Sequence, residues 1–129
     1  MVAVPPPPAA PLQPDVFAQA CPSRAVLAKL ANKWSLLVID ALDGGPTRNG
    51  ALLRRVQGIS QKMLTETLRE LEDLNLLVRR SRNTVPPHVE YELTPLGRSL
   101  RALVCQLDRW VEEHLGDVRA LGAVPAGTR

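Results

Sequence analysis

The sequence predicts a mainly α-helical domain with a small β-hairpin, arranged as a winged helix-turn-helix. Three observations predict this fold: several apolar stretches with helical spacing and recognisable ends, one late stretch where apolar and charged residues alternate, and the order of these elements. At 129 residues the chain suits one domain. Aromatic residues make up only 3%, so leucine, valine and alanine must fill the core. Such a small domain can gain stability from a partner subunit.

Both ends of the chain are predicted to be flexible tails. Residues 1–16 hold six of the twelve prolines. Proline fixes φ and donates no hydrogen bond, so this segment favours extended chain over a specific peptide ligand. We expect the folded domain at residues 17–115, including a C-terminal dimerisation helix, and a second tail at residues 116–129.

The first two helices are predicted in "CPSRAVLAKLA" and "NKWSLLVIDALDGG". Cys21 occupies the N-cap position of the first, and the proline after it suits the first helical position. Asn32 is expected to turn the corner between the helices in the left-handed conformation. Gly44 and Gly45 end the second helix. Trp34 is predicted to anchor the core.

The next two helices form the predicted helix-turn-helix. "PTRNGALLRRV" makes a short third helix weakened by Gly50. "QGIS" interrupts the helical pattern, and its last residue, Ser60, is the predicted N-cap of the fourth helix. On a helical wheel an apolar stripe runs along the fourth helix, opposite a polar side. The stripe holds Met63, Leu64, Leu68, Leu71 and Leu74, and the polar side holds Lys62, Thr65, Glu66 and Arg69.

A hairpin and a long helix complete the predicted order. "HVEYELT" alternates apolar and acidic residues, and with "LLVRRSR" it predicts two strands joined by an irregular tip. Thr94 and Pro95 start the last helix. Its apolar side is wider than one small domain needs, which favours a homodimer interface; packing on its own subunit alone is the competing interpretation. That side consists of Leu96, Leu100, Leu103, Val104, Leu107, Trp110, Val111 and Leu115.

Positive charge is concentrated in the middle of the chain. The whole chain has a net charge of +3, whereas residues 48–82 hold eight basic and four acidic residues, a balance of +4. A clustered basic stretch is what a polyanion-binding surface needs. A helix fits the major groove of DNA, and its N-terminal residues reach base edges. We therefore predict that the fourth helix reads double-stranded DNA, against the alternative of an ordinary solvated face.

The predicted DNA-binding residues fall in three elements. Those near the third helix are expected at phosphates, those on the fourth helix at bases, and those on the hairpin at the backbone or minor groove. The full set is Arg48, Arg54, Arg55, Ser60, Gln61, Lys62, Thr65, Glu66, Arg69, Arg80, Arg82 and His88.

The sequence shows none of the motifs of an enzyme or a metal site. His88 and His114 lie in different elements without metal-ligand spacing, and we find no phosphate loop, catalytic carboxylate pair or nucleophile motif. We therefore expect no catalysis and no cofactor. No apolar run is long enough to span a bilayer, and the N-terminus lacks signal-peptide features. The expected location is the cytoplasm, with reduced thiols and no membrane partner.

Four motifs carry a resemblance to a known family. They are "CP" at Cys21–Pro22, "NKW" at Asn32–Trp34, "GISQKMLTETLRELEDLNLL" at Gly58–Leu77 and "VPPHVEYELTPLGRSL" at Val85–Leu100. On these motifs the chain resembles the HxlR-type family of bacterial winged-helix transcriptional regulators from about residue 21 to residue 114. The resemblance implies a homodimer on pseudo-palindromic operator DNA, with the segment after "GIS" as recognition helix. It also implies repression or activation of transcription, and some members sense electrophiles or oxidants through a cysteine.

Cys21 is the predicted redox sensor, with Cys105 as a candidate disulfide partner. The N-terminus of a helix favours a thiolate, and Arg24 adds positive charge nearby. Cys21 also matches the position that sensing members of the resembled family use. By the wheel, Cys105 falls opposite Leu96 and Leu107. Three alternatives stay open: a passive cap cysteine, a regulator that responds to a small-molecule inducer without redox chemistry, and a winged-helix module that binds protein.

Overall fold

The structure, a computed structural model, describes residues 15–118. Its α-helices are α1 (Pro22–Leu30), α2 (Lys33–Ala41), α3 (Asn49–Arg55), α4 (Gln61–Asp73), α5 (Pro95–Glu113) and α6 (Leu115–Val118), and a 3₁₀ turn at Leu42–Gly44 follows α2. Its strands are β1 (Thr47–Arg48), β2 (Leu77–Arg82) and β3 (His88–Leu93). This architecture confirms the predicted winged helix-turn-helix. Residues 1–14 and 119–129, most of the two predicted tails, lie outside the described range.

The strands form one antiparallel sheet in the order β1-β3-β2. The predicted hairpin is β2 and β3, which pair from Leu77 with Leu93 to Arg82 with His88. The third strand, β1, was assigned to the third helix in the sequence interpretation. Two residues are too few to show an alternating pattern, so only the pairing of Thr47 with Tyr91 and of Arg48 with Glu90 defines this strand.

A compact apolar cluster joins α2, α3, α4 and the base of the sheet. The predicted stripe of α4 supplies Leu64, Leu68 and Leu71 to it, while Met63 and Leu74 lie at its border. The burial of these side chains away from water is the main stabilisation of the fold. The largest fully buried side chains include Ile39, Leu42, Leu52, Leu64, Leu71 and Leu77.

The predicted starts of α4 and α5 are confirmed by their caps. The Ser60 hydroxyl accepts the backbone N–H of Met63 at 3.0 Å. The Thr94 hydroxyl accepts the N–H of Gly97 at 3.0 Å and donates to the carbonyl of Asn75 at 2.7 Å. Each cap satisfies a backbone donor that the helix leaves without a partner. Thr94 also joins α5 to the turn after α4.

The predicted left-handed conformation of Asn32 is wrong. Its φ is −132° and it is the N-cap of α2. The side-chain oxygen accepts the N–H of Ser35 at 3.0 Å, and the side-chain amide donates to the carbonyl of Lys29 at 2.8 Å. Asparagine is a preferred N-cap residue because its side chain reaches those amides from an extended backbone. The same residue therefore ends α1 and starts α2.

The apolar side of α5 divides between the core and the surface. Val104 is buried and Leu100 packs against the core. The remaining members stay exposed in a single chain: Leu96, Leu103, Leu107, Trp110 and Val111 of α5, together with Leu115, which the structure places at the start of α6. A groove lined by Leu27 and Leu30 of α1 and by Leu103 and Leu107 of α5 continues this exposed apolar surface. Within residues 15–118 no helix is long and apolar enough to cross a bilayer.

Candidate nucleic-acid interface

The polar side of α4 points away from the core. Its five polar residues from the first three turns are all exposed: Gln61, Lys62, Thr65, Glu66 and Arg69. The Gln61 side-chain amide donates to the Thr65 hydroxyl at 3.0 Å, and that hydroxyl donates to the Gln61 carbonyl at 2.9 Å. These bonds hold two neighbouring polar side chains in one orientation. The capped first turn thus presents an ordered set of hydrogen-bonding groups to the outside.

The last turn of α3 adds two exposed arginines, Arg54 and Arg55. Arg54 lines a shallow surface groove together with Arg48 and Glu90. The structure therefore brings the third helix next to the sheet, with Arg54 and Arg48 on one surface. Arg55 borders a different groove, beside Asp40 and Gln57.

One face of the sheet, which we call the polar face of the wing, collects most of the predicted wing residues. The register pairs Arg48 with Glu90, Arg80 with Glu90, and Arg82 with His88. Paired residues share a face of a sheet. The polar face of the wing is therefore Arg48, Arg80, Arg82, His88, Glu90 and Glu92.

The two glutamates bind the cations of this face, which the sequence interpretation missed. Glu92 pairs with Arg80 at 3.0 Å. Glu90 contacts His88 at 2.9 Å and Arg82 at 3.8 Å, and the Arg48 guanidinium contacts the His88 ring. The alternation of "VEYEL" did place both glutamates on one side of the strand. Only the strand register shows that the arginines lie on the same face of the sheet as the glutamates.

Cys21 is buried at the start of α1, with 8% of its surface exposed. The pKa of its thiol is lowered, mainly because the backbone N–H of Asp15 donates to Sγ at 3.3 Å, with further hydrogen bonds from Ser23 and the N–H of Arg24. Burial opposes this shift. The Arg24 guanidinium, expected from the sequence to add positive charge nearby, donates to the carbonyl of Phe17 at 3.3 Å. Cys105 is half-buried on α5, and the two cysteines form no disulfide with each other.

Asp40 also has a shifted pKa, and sequence reasoning missed this residue. It lies on α2 and its pKa is raised to about 7 by burial and by the carboxyl of Asp108 on α5, with which it shares a hydrogen bond. The Arg101 guanidinium partly offsets the shift. No sequence pattern links residues so far apart. Among the residues that the structure describes, no group of histidine, cysteine and acidic side chains could hold a metal ion.

The family model for the HxlR-like helix-turn-helix matches residues 29–119. The chain belongs to the HxlR-like helix-turn-helix family. The HTH-type transcriptional regulator YtfH of Escherichia coli is 42% identical over 107 residues, which cover 83% of this chain and 85% of that protein. YkvN of Bacillus subtilis, also an HTH-type transcriptional regulator, is 46% identical over 63% of this chain and 69% of its own. This HxlR-like chain is therefore a transcriptional regulator with a DNA-binding fold.

Solved structures support the same assignment. The transcriptional regulator ytfH of Salmonella typhimurium superposes with a TM-score of 0.77 at 42% identity, covering 85% of this chain and 98% of that chain. The reduced form of the redox regulator HypR gives a TM-score of 0.71 at 33% identity, covering 77% and 98%. Diamide-treated YodB of Bacillus subtilis gives 0.62 at 32% identity, covering 74% and 96%.

Proposed function

We propose that the protein is a homodimeric regulator that binds pseudo-palindromic operator DNA through α4. The observation that supports this most is the exposed, capped and hydrogen-bonded polar side of α4, which has the width and composition to enter the major groove. Gln61 suits adenine and Arg69 suits guanine, each through two hydrogen bonds. Lys62, Thr65 and Glu66 lie beside them.

The remaining cations then act on the DNA backbone. Arg54 and Arg55 lie at the end of α3, and the polar face of the wing lies beside Arg54. Phosphate contacts of this kind fix the position of a protein on DNA without reading sequence. In this arrangement α4 supplies specificity, while α3 and the wing supply most of the salt-dependent affinity.

A salt titration tests the DNA-binding part of this proposal against a protein-binding winged helix. We expect the affinity for promoter fragments, measured by fluorescence anisotropy, to fall steeply and linearly in log–log form as salt rises, because neutralised phosphates release counterions. A flat dependence, or no binding, would contradict DNA binding and favour the protein-interaction alternative.

The dimer is proposed to form through α5. Its exposed apolar residues and the groove beside α1 form one continuous surface, and such patches usually mark an interface. Leu103 is 61% exposed and the adjacent Ala102 is also exposed but lies about 100° away around the helix. Leu103→Glu should therefore yield monomers in analytical ultracentrifugation. Ala102→Glu, the matched control, should stay dimeric; a dimeric Leu103→Glu would contradict the α5 interface. In the dimer, the two recognition helices should lie about 34 Å apart, one turn of DNA.

Thiol sensing through Cys21 is a second proposal about the same protein. It is supported by the hydrogen bonds that lower the Cys21 pKa, which raise the share of reactive thiolate, and by the similarity to HypR, described as a redox regulator. Cys105 is the candidate partner within or between subunits. The competing proposal is a small-molecule inducer without redox chemistry.

An oxidation experiment separates the two. After mild oxidant, the wild type should change its DNA affinity and recover it with a thiol reductant. Cys21→Ser should not respond, whereas Cys105→Ser identifies whether the second thiol takes part. Equal responses of the wild type and Cys21→Ser would remove Cys21 from the mechanism and favour a non-redox inducer.

A further inference from the structure

Glu90 lies at the centre of the polar face of the wing. It belongs to β3, the middle strand of the sheet. Arg48 of β1 is its partner on one side, and Arg80 of β2 is its partner on the other. Its side chain is therefore the one carboxylate of this face that has an arginine directly across on both neighbouring strands.

The contacts of Glu90 connect all three strands. One carboxylate oxygen contacts Nε2 of His88 at 2.9 Å, and the other lies 3.8 Å from a terminal nitrogen of Arg82. The Arg48 guanidinium contacts the other ring nitrogen of His88. The result is a chain of polar contacts from β1 through His88 and Glu90 to β2.

The carboxylate and the His88 ring lie deeper than the arginines around them. The side chains of Glu90 and His88 are 19% and 18% exposed, whereas that of Arg82 is 68% exposed. Arg48 is exposed as well. A molecule that approaches this face meets guanidinium groups first, with the negative charge beneath them.

We propose that Glu90 is a positioning residue for DNA binding, which holds Arg82 directly and Arg48 through His88, so that the two arginines form a fixed pair of donors for backbone phosphates. The inference rests on the DNA-binding function proposed above. Long arginine side chains lose rotamer freedom when they bind, and a side chain already fixed in its bound orientation loses less. The short contact of His88 with the Glu90 carboxylate, at 2.9 Å, fixes the ring on which Arg48 rests, and the ion pair at 3.8 Å draws Arg82 toward the same carboxylate.

Positioning and simple charge predict opposite effects of removing this carboxylate. If Glu90 is only a negative charge near DNA, Glu90→Gln reduces repulsion and tightens binding. If it positions the cations, the same substitution weakens binding, although the protein becomes more positive. We expect Glu90→Gln to weaken binding of a fluorescein-labelled mixed-sequence duplex of about 30 base pairs by about three- to tenfold at fixed salt. Tighter or unchanged binding would overturn the proposal.

Two further variants control for charge and for folding. Glu90→Asp keeps the charge but draws the carboxylate back from its partners, so it should also weaken binding. An unchanged affinity of Glu90→Asp would speak against positioning. Glu72→Gln removes an exposed carboxylate from the last turn of α4, at a position outside the predicted DNA-binding residues, and should leave binding unchanged or slightly tighter. Thermal unfolding of each variant, followed by circular dichroism, should show little difference, because Glu90 lies outside the apolar core.

A double-mutant cycle separates positioning from a structural role. In a protein that already carries Arg48→Ala and Arg82→Ala, Glu90 has lost two of the side chains it holds. Glu90→Gln should then leave binding unchanged or tighten it, because the effects of coupled residues are not additive. An equal weakening in both backgrounds would mean that the substitution disturbs the sheet itself, and would overturn the proposal. A wild type that binds the duplex without salt dependence would instead overturn the proposed function.

Discussion

Gly97 and Leu76 approach so closely that a Cβ on Gly97 would overlap the Leu76 carbonyl oxygen. The same carbonyl accepts the backbone N–H of Thr94 at 3.0 Å. The first turn of α5 is therefore seated directly on the backbone at the base of β2. A built Cβ would also lie 3.1 Å from a methyl group of Leu93, so neither neighbour offers room.

Gly97→Ala should consequently destabilise the fold. Because the obstacle is backbone, α5 must shift, and we expect the free energy of unfolding to fall by about 2–4 kcal/mol. Urea unfolding followed by circular dichroism measures this. The matched control is Gly44→Ala, where a Cβ meets nothing within 4 Å and a change below about 1 kcal/mol is expected. Equal effects at both positions would show that the close approach is not limiting.

The two helix caps should differ in their contribution to stability. Ser60 is exposed and makes one capping hydrogen bond, so Ser60→Ala should lower the free energy of unfolding by about 1 kcal/mol. Thr94 is buried and its hydroxyl serves two backbone partners, so Thr94→Ala should lower it by about 2 kcal/mol. Chemical denaturation of both variants gives the order, and a larger loss at Ser60 would contradict it.

The raised pKa of Asp40 should make stability depend on pH. The folded protein holds this proton up to a pH of about 7, whereas the ordinary value is 3.8. The folded state therefore binds more protons than the unfolded state between these values, and the free energy of unfolding should fall as pH rises through that window. Asp40→Asn should flatten this part of the profile and be more stable than the wild type at pH 8. Asp117→Asn, an exposed control on α6, should follow the wild type.

Arg54 and Gln61 should have separable effects on DNA binding. Arg54→Ala should weaken binding to all sequences alike and reduce the salt slope by about one unit. Gln61→Ala should reduce discrimination at one base position by about 1–3 kcal/mol. Both effects can be measured as affinities for an operator sequence selected with the wild-type protein and for single-base variants of that operator. If Arg54→Ala changes the preferred sequence, the division between phosphate and base contacts is incorrect.

The helices were predictable because each carries its signals locally. Ser60 and Thr94 are caps that can be read from a few neighbouring residues, and the apolar stripe of α4 follows from its spacing alone. These features depend on interactions within one or two turns. The same local reasoning failed at Asn32, because asparagine suits both a left-handed corner and an N-cap.

The features that escaped prediction depend on contacts between distant segments. The pairing of Arg48 with Glu90 joins residues 42 positions apart, and Asp40 meets Asp108 only because α2 packs beside α5. Individual cations of the wing were identified from the sequence, but their binding to Glu90 and Glu92 depends on strand register. Long-range pairing of this kind is set by the whole fold.

The order β1-β3-β2 leaves β1 and β2 at the two edges of the sheet. Both edges of a sheet expose backbone groups that can pair with another molecule, and natural proteins limit this with short or charged edge strands. Here the edge strand β1 has only two residues. The other edge strand, β2, carries Arg79, Arg80 and Arg82. Two such strands approaching each other would bring arginines together. The charged side chains of β2 and the shortness of β1 therefore disfavour pairing of the wing with a strand of a second molecule, so contacts between chains are left to other surfaces.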